Sequence, residues 1–550
     1  MTASARWVLS ALALAASRAS AQDVRGVVRD SSTQQAIAGV VVMLQDASGR
    51  ALGRGITNDR GQFRVAMAQG AQQLRAVRIG FRPRVVPVVG GATIDVTLAP
   101  LPSLLEPIQV SDVTRCSKRS DRAAALALWE QIRTGLLAAV VGREANPANM
   151  RRLQFDRLYD RSGKLHSQSV HIDSARTDRA FGAALPVTAF LRDGFKSDSA
   201  GLDVFYGPDA DILLSDEFAA GYCFRIADRD ASRPGQIGLG FAPAERKRER
   251  TDIEGTLWVD SIARRLVDID YAYLGLEPRI AAFHPGGRTS FRTMANGMVL
   301  LDRWTIRLVA TSADSTTEFR NRNMERTPVL QAREVGGEIA FAEWPDGTQW
   351  SAALGMLRGH ATRDGAPAPG VTVHLLETDY AATTDAAGDF QLRELLPGPY
   401  EVGVENAQLA AVGLLMPTGV QFTAARDSTQ VVAVPIPSLD DYTWDRCTAD
   451  PNRPRAARRT IRMFIVRILQ PNGQPAEGVR VFVKFLGGGA ALANSDIETG
   501  SSGIAQICGV VDRASNVAVI VERENRAPLE FDQGVSGPLT TFSITLPGRP

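Results

Sequence analysis

Thr57-Asn58-Asp59-Arg60-Gly61-Gln62-Phe63 is the stretch on which the fold turns. An aspartate such as Asp59 closes a turn by accepting from its own backbone, and Gly61 supplies the positive φ that a tight reversal needs. Side chains alternate between the faces of a strand, so Phe63 points inward while Gln62 faces out. Outward from this turn, residues 24–98 break into short segments of strand character at 24–29, 39–44, 52–57, 62–66, 73–79, 84–88 and 93–98. Turn signals divide them, and strands at that spacing predict an all-β sandwich.

The same grammar returns downstream. Gly355-Met356-Leu357-Arg358-Gly359 is followed by Ala368-Pro369-Gly370-Val371-Thr372-Val373 and then by Thr384-Asp385-Ala386-Ala387-Gly388-Asp389-Phe390. Asp385, Gly388 and Phe390 repeat Asp59, Gly61 and Phe63, and Pro397, Gly398 and Tyr400 form a further turn that feeds a strand. One module is written twice, and such repetition outranks any single motif. On the Gly26-Val27-Val28 opening, Ala38-Gly39-Val40, these turns and Pro397-Gly398, residues 22–102 and 353–437 resemble the carboxypeptidase regulatory-like domain. The resemblance implies a seven-stranded transthyretin-like sandwich common in exported bacterial proteins. It also implies a non-catalytic appendage, grouped with carbohydrate-binding-like folds. The first copy departs from the pattern, with Gln69-Gly70-Ala71-Gln72 where a Pro-Gly-x-Tyr turn is expected.

Residues 460–548 repeat the opening as Gly473-Gln474-Pro475-Ala476-Glu477-Gly478-Val479. Their Thr499-Gly500-Ser501-Ser502-Gly503 lacks the Asp and Phe of the motif, which leaves an immunoglobulin-like and a transthyretin-like sandwich both open. Residues 113–348 differ. A helix is expected over 118–141, with Leu128, Trp129, Ile132, Leu136 and Val140 at helical spacing, Ser120 or Asp121 as cap and Gly142 as stop. A second short helix is expected over 212–220, and the rest reads as antiparallel strands. Hairpins are expected across 261–264 and across Ala295-Asn296-Gly297, whose Asn-Gly is a tight-turn signal. The hairpin at Gly255-Thr256-Leu257-Trp258-Val259-Asp260 is similar to those of lipoprotein-carrier-like half barrels. The expected fold class is thus mainly β and multi-domain, two or three sandwich modules flanking a larger antiparallel β domain with one amphipathic helix. Linkers are expected at 100–107, 343–352 and 438–459, the last ending in the basic run Arg453 to Arg459.

Residues 1–21 carry Arg6, an apolar run over 7–16 and small residues ending Ala19-Ser20-Ala21, the layout of a cleaved signal peptide. The mature chain is expected to start at Gln22, and no later segment is expected to be long and apolar enough to span a bilayer. Without Arg6 and Arg18, 60 basic residues balance 60 acidic ones, which argues against a nucleic-acid partner. Cys116, Cys223, Cys447 and Cys508 suit structural disulfides in an oxidising compartment. Of the three pairings, Cys116 with Cys223 and Cys447 with Cys508 keeps each bridge within one domain and its adjoining segment. Their spacing does not suit a metal site.

No catalytic constellation is expected. The histidines, His166, His171, His284, His360 and His374, begin no zinc-peptidase motif, and no Gly-x-Ser-x-Gly elbow or phosphate loop occurs. Asp209, Asp211, Asp216 and Glu217 resemble a calcium donor set, but capping by Asp209 and Ser215 explains them better. The run at 245–250 alternates sign and reads as a solvated loop. Among the module aromatics, Tyr380 alone is expected to be free for stacking on a sugar. The expected role is therefore that of a non-catalytic exported protein of the periplasm, outer-membrane surface or exterior, without cofactor, whose partner is another envelope protein. Glycan binding is the alternative. A further one is an accessory role to an outer-membrane receptor, since Leu104-Leu105-Glu106-Pro107-Ile108-Gln109-Val110 resembles the linker of receptors carrying this module.

Overall fold

The computed structural model describes residues 23–88, 93–105, 122–160, 162–176, 187–199, 202–245, 250–312, 329–448, 460–486, 490–491, 496–510, 516–523, 526–535 and 537–547. Two compact units emerge, Met1–Met150 with Ser174–Thr311 and Glu334–Trp350, and Arg151–Asp173 with Ser312–Arg333 and Ser351–Pro550.

The first unit opens with a seven-stranded sandwich. Asp23–Asp30 pairs antiparallel with Gln62–Ala66 and parallel with Thr93–Leu98. The facing sheet runs Ala51–Ile56, Val41–Gln45, Gln73–Val77 and Arg84–Pro87. Alternation along these strands buries Val24, Val28, Phe63, Val65, Val96 and Leu98 between the two layers.

The central sheet of this unit runs in the order Tyr222–Ile226, Gln236–Pro243, Asp252–Asp260, Arg265–Leu274, Gly286–Thr293 and Val299–Ser312. One of its faces is covered by a helix. Helix Arg122–Ala145 places Leu128, Trp129, Ile132 and Leu136 against Leu257, Ile269 and Phe291. The opposite side of the helix carries Ala138 and Val141 onto Val41 and Val77 of the first sandwich. Two buried faces explain a helix that is apolar nearly all round.

Three expectations are corrected by this helix. It runs past Gly142 to Ala145: Gly142 keeps helical backbone and is buried beside Ile56 and Met298, so burial of this last turn outweighs the weak helix propensity of glycine. It has two apolar faces rather than one. By length and composition it is also apolar enough to cross a membrane, contrary to the reading of the sequence, although 67% of its apolar window is buried inside the protein. The expected second helix is two, Ala210–Leu214 and Asp216–Gly221, with Asp209 capping the first and Ser215 the second.

In the second unit, Gly355–Arg363 pairs antiparallel with Asp389–Leu395 and parallel with Thr429–Pro435. Ile461–Leu469 does the same with Ile504–Val510 and Leu539–Thr545. Their facing sheets run Ala381–Thr383, Thr372–Leu375, Gly398–Val404 and Met416–Ala424, and Asp496–Glu498, Arg480–Leu486, Asn516–Arg523 and Arg526–Gly534. The strand pairings of residues 461–545 therefore match those of the other two sandwiches. Within the same unit, the hairpin arm 151–173 lies along the middle sandwich. Val170 and Thr378 form a parallel bridge, Arg157 donates to the Pro397 carbonyl at 2.9 Å, and Arg151 pairs with Glu394.

Part of the segment expected as a linker is folded. Leu439–Cys447 is a helix capped by Ser438, and Cys447 is bonded to Cys508 of the last sandwich. Ser438 accepts from the Asp441 amide at 3.1 Å and donates to its carboxylate at 2.6 Å. That local closure outweighs the Pro- and Asp-rich composition. Residues 449–459, with the basic run, lie outside the described residues, as do 1–22.

Candidate functional site

The three sandwiches share one internal device, built on a buried threonine. Thr57 accepts from the Val40 amide at 2.9 Å and donates to the Ile37 carbonyl at 2.7 Å. Thr384 accepts from Val371 at 2.9 Å and donates to Ala368 at 2.6 Å. Thr499 accepts from Val479 at 3.0 Å and donates to Ala476 at 2.5 Å. Each hydroxyl thus ties the turn after the first strand to the turn before the fourth. The sequence reading quoted all three threonines but assigned them no role. Their recurrence at the head of each turn string was the available signal.

The turns themselves close through the next residue. Asp385 accepts from the amides of Ala387 and Asp389, both at 2.9 Å. In the first copy Asn58 holds this place, accepting from Arg60 at 3.0 Å and Gln62 at 2.9 Å. The expected holder Asp59 is one residue late and exposed, because alignment on the shared Gly and Phe puts Asn58, not Asp59, opposite Asp385. Gly61 and Gly388 adopt positive φ of 70° and 81°. Phe63 and Phe390 are buried, each across from a glycine of the first strand, Gly26 and Gly359, whose missing side chain makes room for the ring. In the last sandwich Val466 faces Ala505 at this pair, so the bulk has moved to the other strand.

Pro397 and Gly398 lie against the arm, where a side chain on Gly398 would meet Gln168 at 2.9 Å. Tyr400 is buried and donates to the Leu396 carbonyl at 2.8 Å. Tyr380, expected to be free for a sugar, is 3% exposed and donates to the Glu394 carbonyl at 2.8 Å. Its edge meets Tyr400, and a hydroxyl with a buried acceptor fixes the ring inside the sandwich.

A cleft of about 710 Å³ lies on the first sandwich within the first unit. Alternation on strands Asp23–Asp30 and Gln62–Ala66 turns Arg25, Val27, Gln62 and Arg64 outward to form its floor. Asn58, Asn146 at the helix end, Asn296 and Thr348 contribute polar walls. Asp23 lies between Arg25 and Arg64, at 3.3 Å and 2.5 Å, and the hydrogen bond from Arg64 holds its carboxyl below the usual range. Arg54 is paired with Glu144 at 2.8 Å. Such a surface can hydrogen-bond a polar chain. No nucleophile and base are brought together in it.

The remaining candidates are dispersed. Asp209 accepts from the Ile212 amide at 2.9 Å, while Asp211 turns to Arg143 at 2.5 Å. Burial pushes the Asp209 carboxyl up to about 6. Among the described residues no group of three or more His, Cys, Asp or Glu side chains converges as metal ligands would. His360 pairs with Asp389, His374 with Glu405 and His171 with Asp379, each an isolated couple. Cys223 is disulfide-bonded, and Cys116, its expected partner, lies outside the described residues, as does the run at 246–249.

A family model matches two of the three sandwiches. No curated protein matches the chain. Solved structures to which it is similar include a cohesin–X-dockerin complex from Acetivibrio cellulolyticus, at 20% identity and TM-score 0.12, covering 14% of this chain and 51% of that one. The Bacillus anthracis TIE protein matches at 11% identity and TM-score 0.14, with 63% of each chain covered. The minor pilin GBS52 of Streptococcus agalactiae matches at 15% identity and TM-score 0.13, covering 36% of this chain and 98% of that one. The chain thus spans less than two thirds of the first two, and at such TM-scores the likeness carries no weight. The family match does, and it fits a structural or interaction role. Residues 23–99 and 357–435 each match the carboxypeptidase regulatory-like domain.

Proposed function

We propose that this is an exported, non-catalytic protein of a cell envelope, whose sandwiches present stable surfaces to another envelope protein and whose polar cleft on the first sandwich is the contact. The observation that carries this reading is the closure of every module motif onto its own backbone. The threonines, Asn58, Asp385 and the tyrosines all spend their polar groups inside the sandwiches. The long helix covers one face of the central sheet, whereas the cleft on the first sandwich is open and lined by polar side chains. Glycan binding is the weaker reading, because burial of Tyr380 removes its one aromatic candidate and leaves only polar walls.

A photo-crosslinking residue at Arg25 or Arg54, introduced into the full chain in its own cells, tests the proposal. A discrete protein adduct that depends on the cleft position is expected, together with a mature N-terminus at Gln22. Crosslinking to polysaccharide alone, or retention of residues 1–21 in the cytoplasm, would overturn it.

A further inference from the structure

A second, smaller recess of about 30 Å³ lies within the first unit, between the first sandwich, the long helix and the 252–274 hairpin. All its charged lining residues are arginines, Arg78, Arg264 and Arg265, and two threonines, Thr134 and Thr293, are the hydroxyl groups beside them. No carboxylate lines it. Arg265 lies 3.7 Å from Asp260, but neither Arg78 nor Arg264 forms an ion pair with a described residue. Both guanidinium groups lie by the buried ring of Phe81, at 5.7 Å and 5.3 Å from its centroid.

From these positions we infer that the recess is a binding site for a small oxyanion of the phosphate or sulfate type.

Three physical points support the assignment. A guanidinium does not give up its proton at neutral pH, so two of them held together beside an apolar ring need a counter-charge. Burial, and then the charge of Arg264, disfavour the charged form of Arg78, which is the direction expected of cations lacking such a counter-charge. Asp30, which accepts from the amides of Ser32 and Thr33 at 2.7 Å and 3.2 Å, attracts Arg264 from outside the recess without forming an ion pair with it. The placement is also fixed. Arg264 runs across Gly80, where any side chain would collide with its stem, and the Gly80 amide is held by Gln131 at 2.8 Å. The forked donors of arginine suit paired oxygens, and the recess has room for one or two water-sized groups. That admits the oxygens of an anion while the remainder faces solvent.

The test is thermal unfolding of the full chain in inorganic phosphate, sulfate or acetate, against chloride at equal ionic strength. Phosphate or sulfate should raise the midpoint saturably, by about 5 °C at roughly a hundredfold excess over its dissociation constant. Arg78→Met and Arg264→Met keep the apolar stems, and each should abolish the rise while matching the parent in chloride. The assignment fails if phosphate and sulfate act no differently from chloride, if acetate alone responds, or if both variants keep the full rise.

Discussion

Thr384 shows how much one hydroxyl can hold. At 5% exposure it satisfies a buried amide and a buried carbonyl together, joining two segments sixteen residues apart. Thr384→Val keeps the shape and removes both bonds, so the Val371 amide and Ala368 carbonyl lose their partner. The expected cost is about 2–4 kcal/mol, against about 1 kcal/mol for Thr384→Ser, which keeps the hydroxyl. Urea unfolding of the two variants decides it, and equal losses would assign the effect to packing. Asp209 makes the opposite case. Its folded carboxyl titrates at about 6 and the unfolded one near 4, so the folded chain holds a proton across that window which the unfolded chain has released. The stability contributed by Asp209 is therefore greatest below about pH 4 and is lost as pH rises through 6, by about 3 kcal/mol once the buried acid is ionised. Asp209→Asn keeps a capping acceptor and drops the charge. It should stabilise the protein at pH 7.5 and leave it nearly unchanged at pH 3.5, and an equal effect at both values would contradict this origin.

At the scale of elements, the last sandwich is tied to the helix before it. The Cys447–Cys508 bridge spans 61 residues, and closing a loop of that length in the unfolded chain is worth about 4 kcal/mol. Replacing both cysteines by serine should lower stability by that order, and should speed amide exchange in Leu439–Cys447 before the sandwich strands. Unchanged exchange there would show that capping by Ser438 holds the helix unaided. The seven strands of the first sandwich lie where turn residues and alternation put them, since those signals are local. What required a register was less legible. Asn58 and Asp59 are chemically equivalent as turn holders until the partner strand fixes the spacing. The missing Phe at position 505 looked like divergence, yet Val466 opposite it restores the volume that Gly26 and Gly359 cede elsewhere. Burial of Tyr380 depends on partners in the next hairpin, the Glu394 carbonyl and the Leu396 amide, which no local pattern reveals. The helix at 439–447 did carry a local signal, Ser438 three residues before Asp441, which composition obscured.

Over the whole molecule, charge is balanced both in number and in place. The formal net charge is +2, and arginines of both units are matched to acids, as in Arg233 with Asp268, Arg292 with Asp302, Arg152 with Asp173 and Arg333 with Asp156. Polyanion binding needs an uncompensated basic face, because its affinity comes from the counterions that several phosphates release at once. Two arginines at one small recess meet a single anion and do not make such a face. The full chain should therefore pass through heparin and duplex-DNA columns at roughly 0.15 M salt and pH 7.5, where surface charges are screened within about 8 Å. Retention beyond roughly 0.3 M salt would contradict this, since about two contacts give only a shallow salt dependence. If retention then disappeared on replacing Arg453, Arg455, Arg458 and Arg459 with glutamine, the basic run before the last sandwich would be the polyanion contact, and the envelope partner would be sought among anionic surfaces rather than at the cleft.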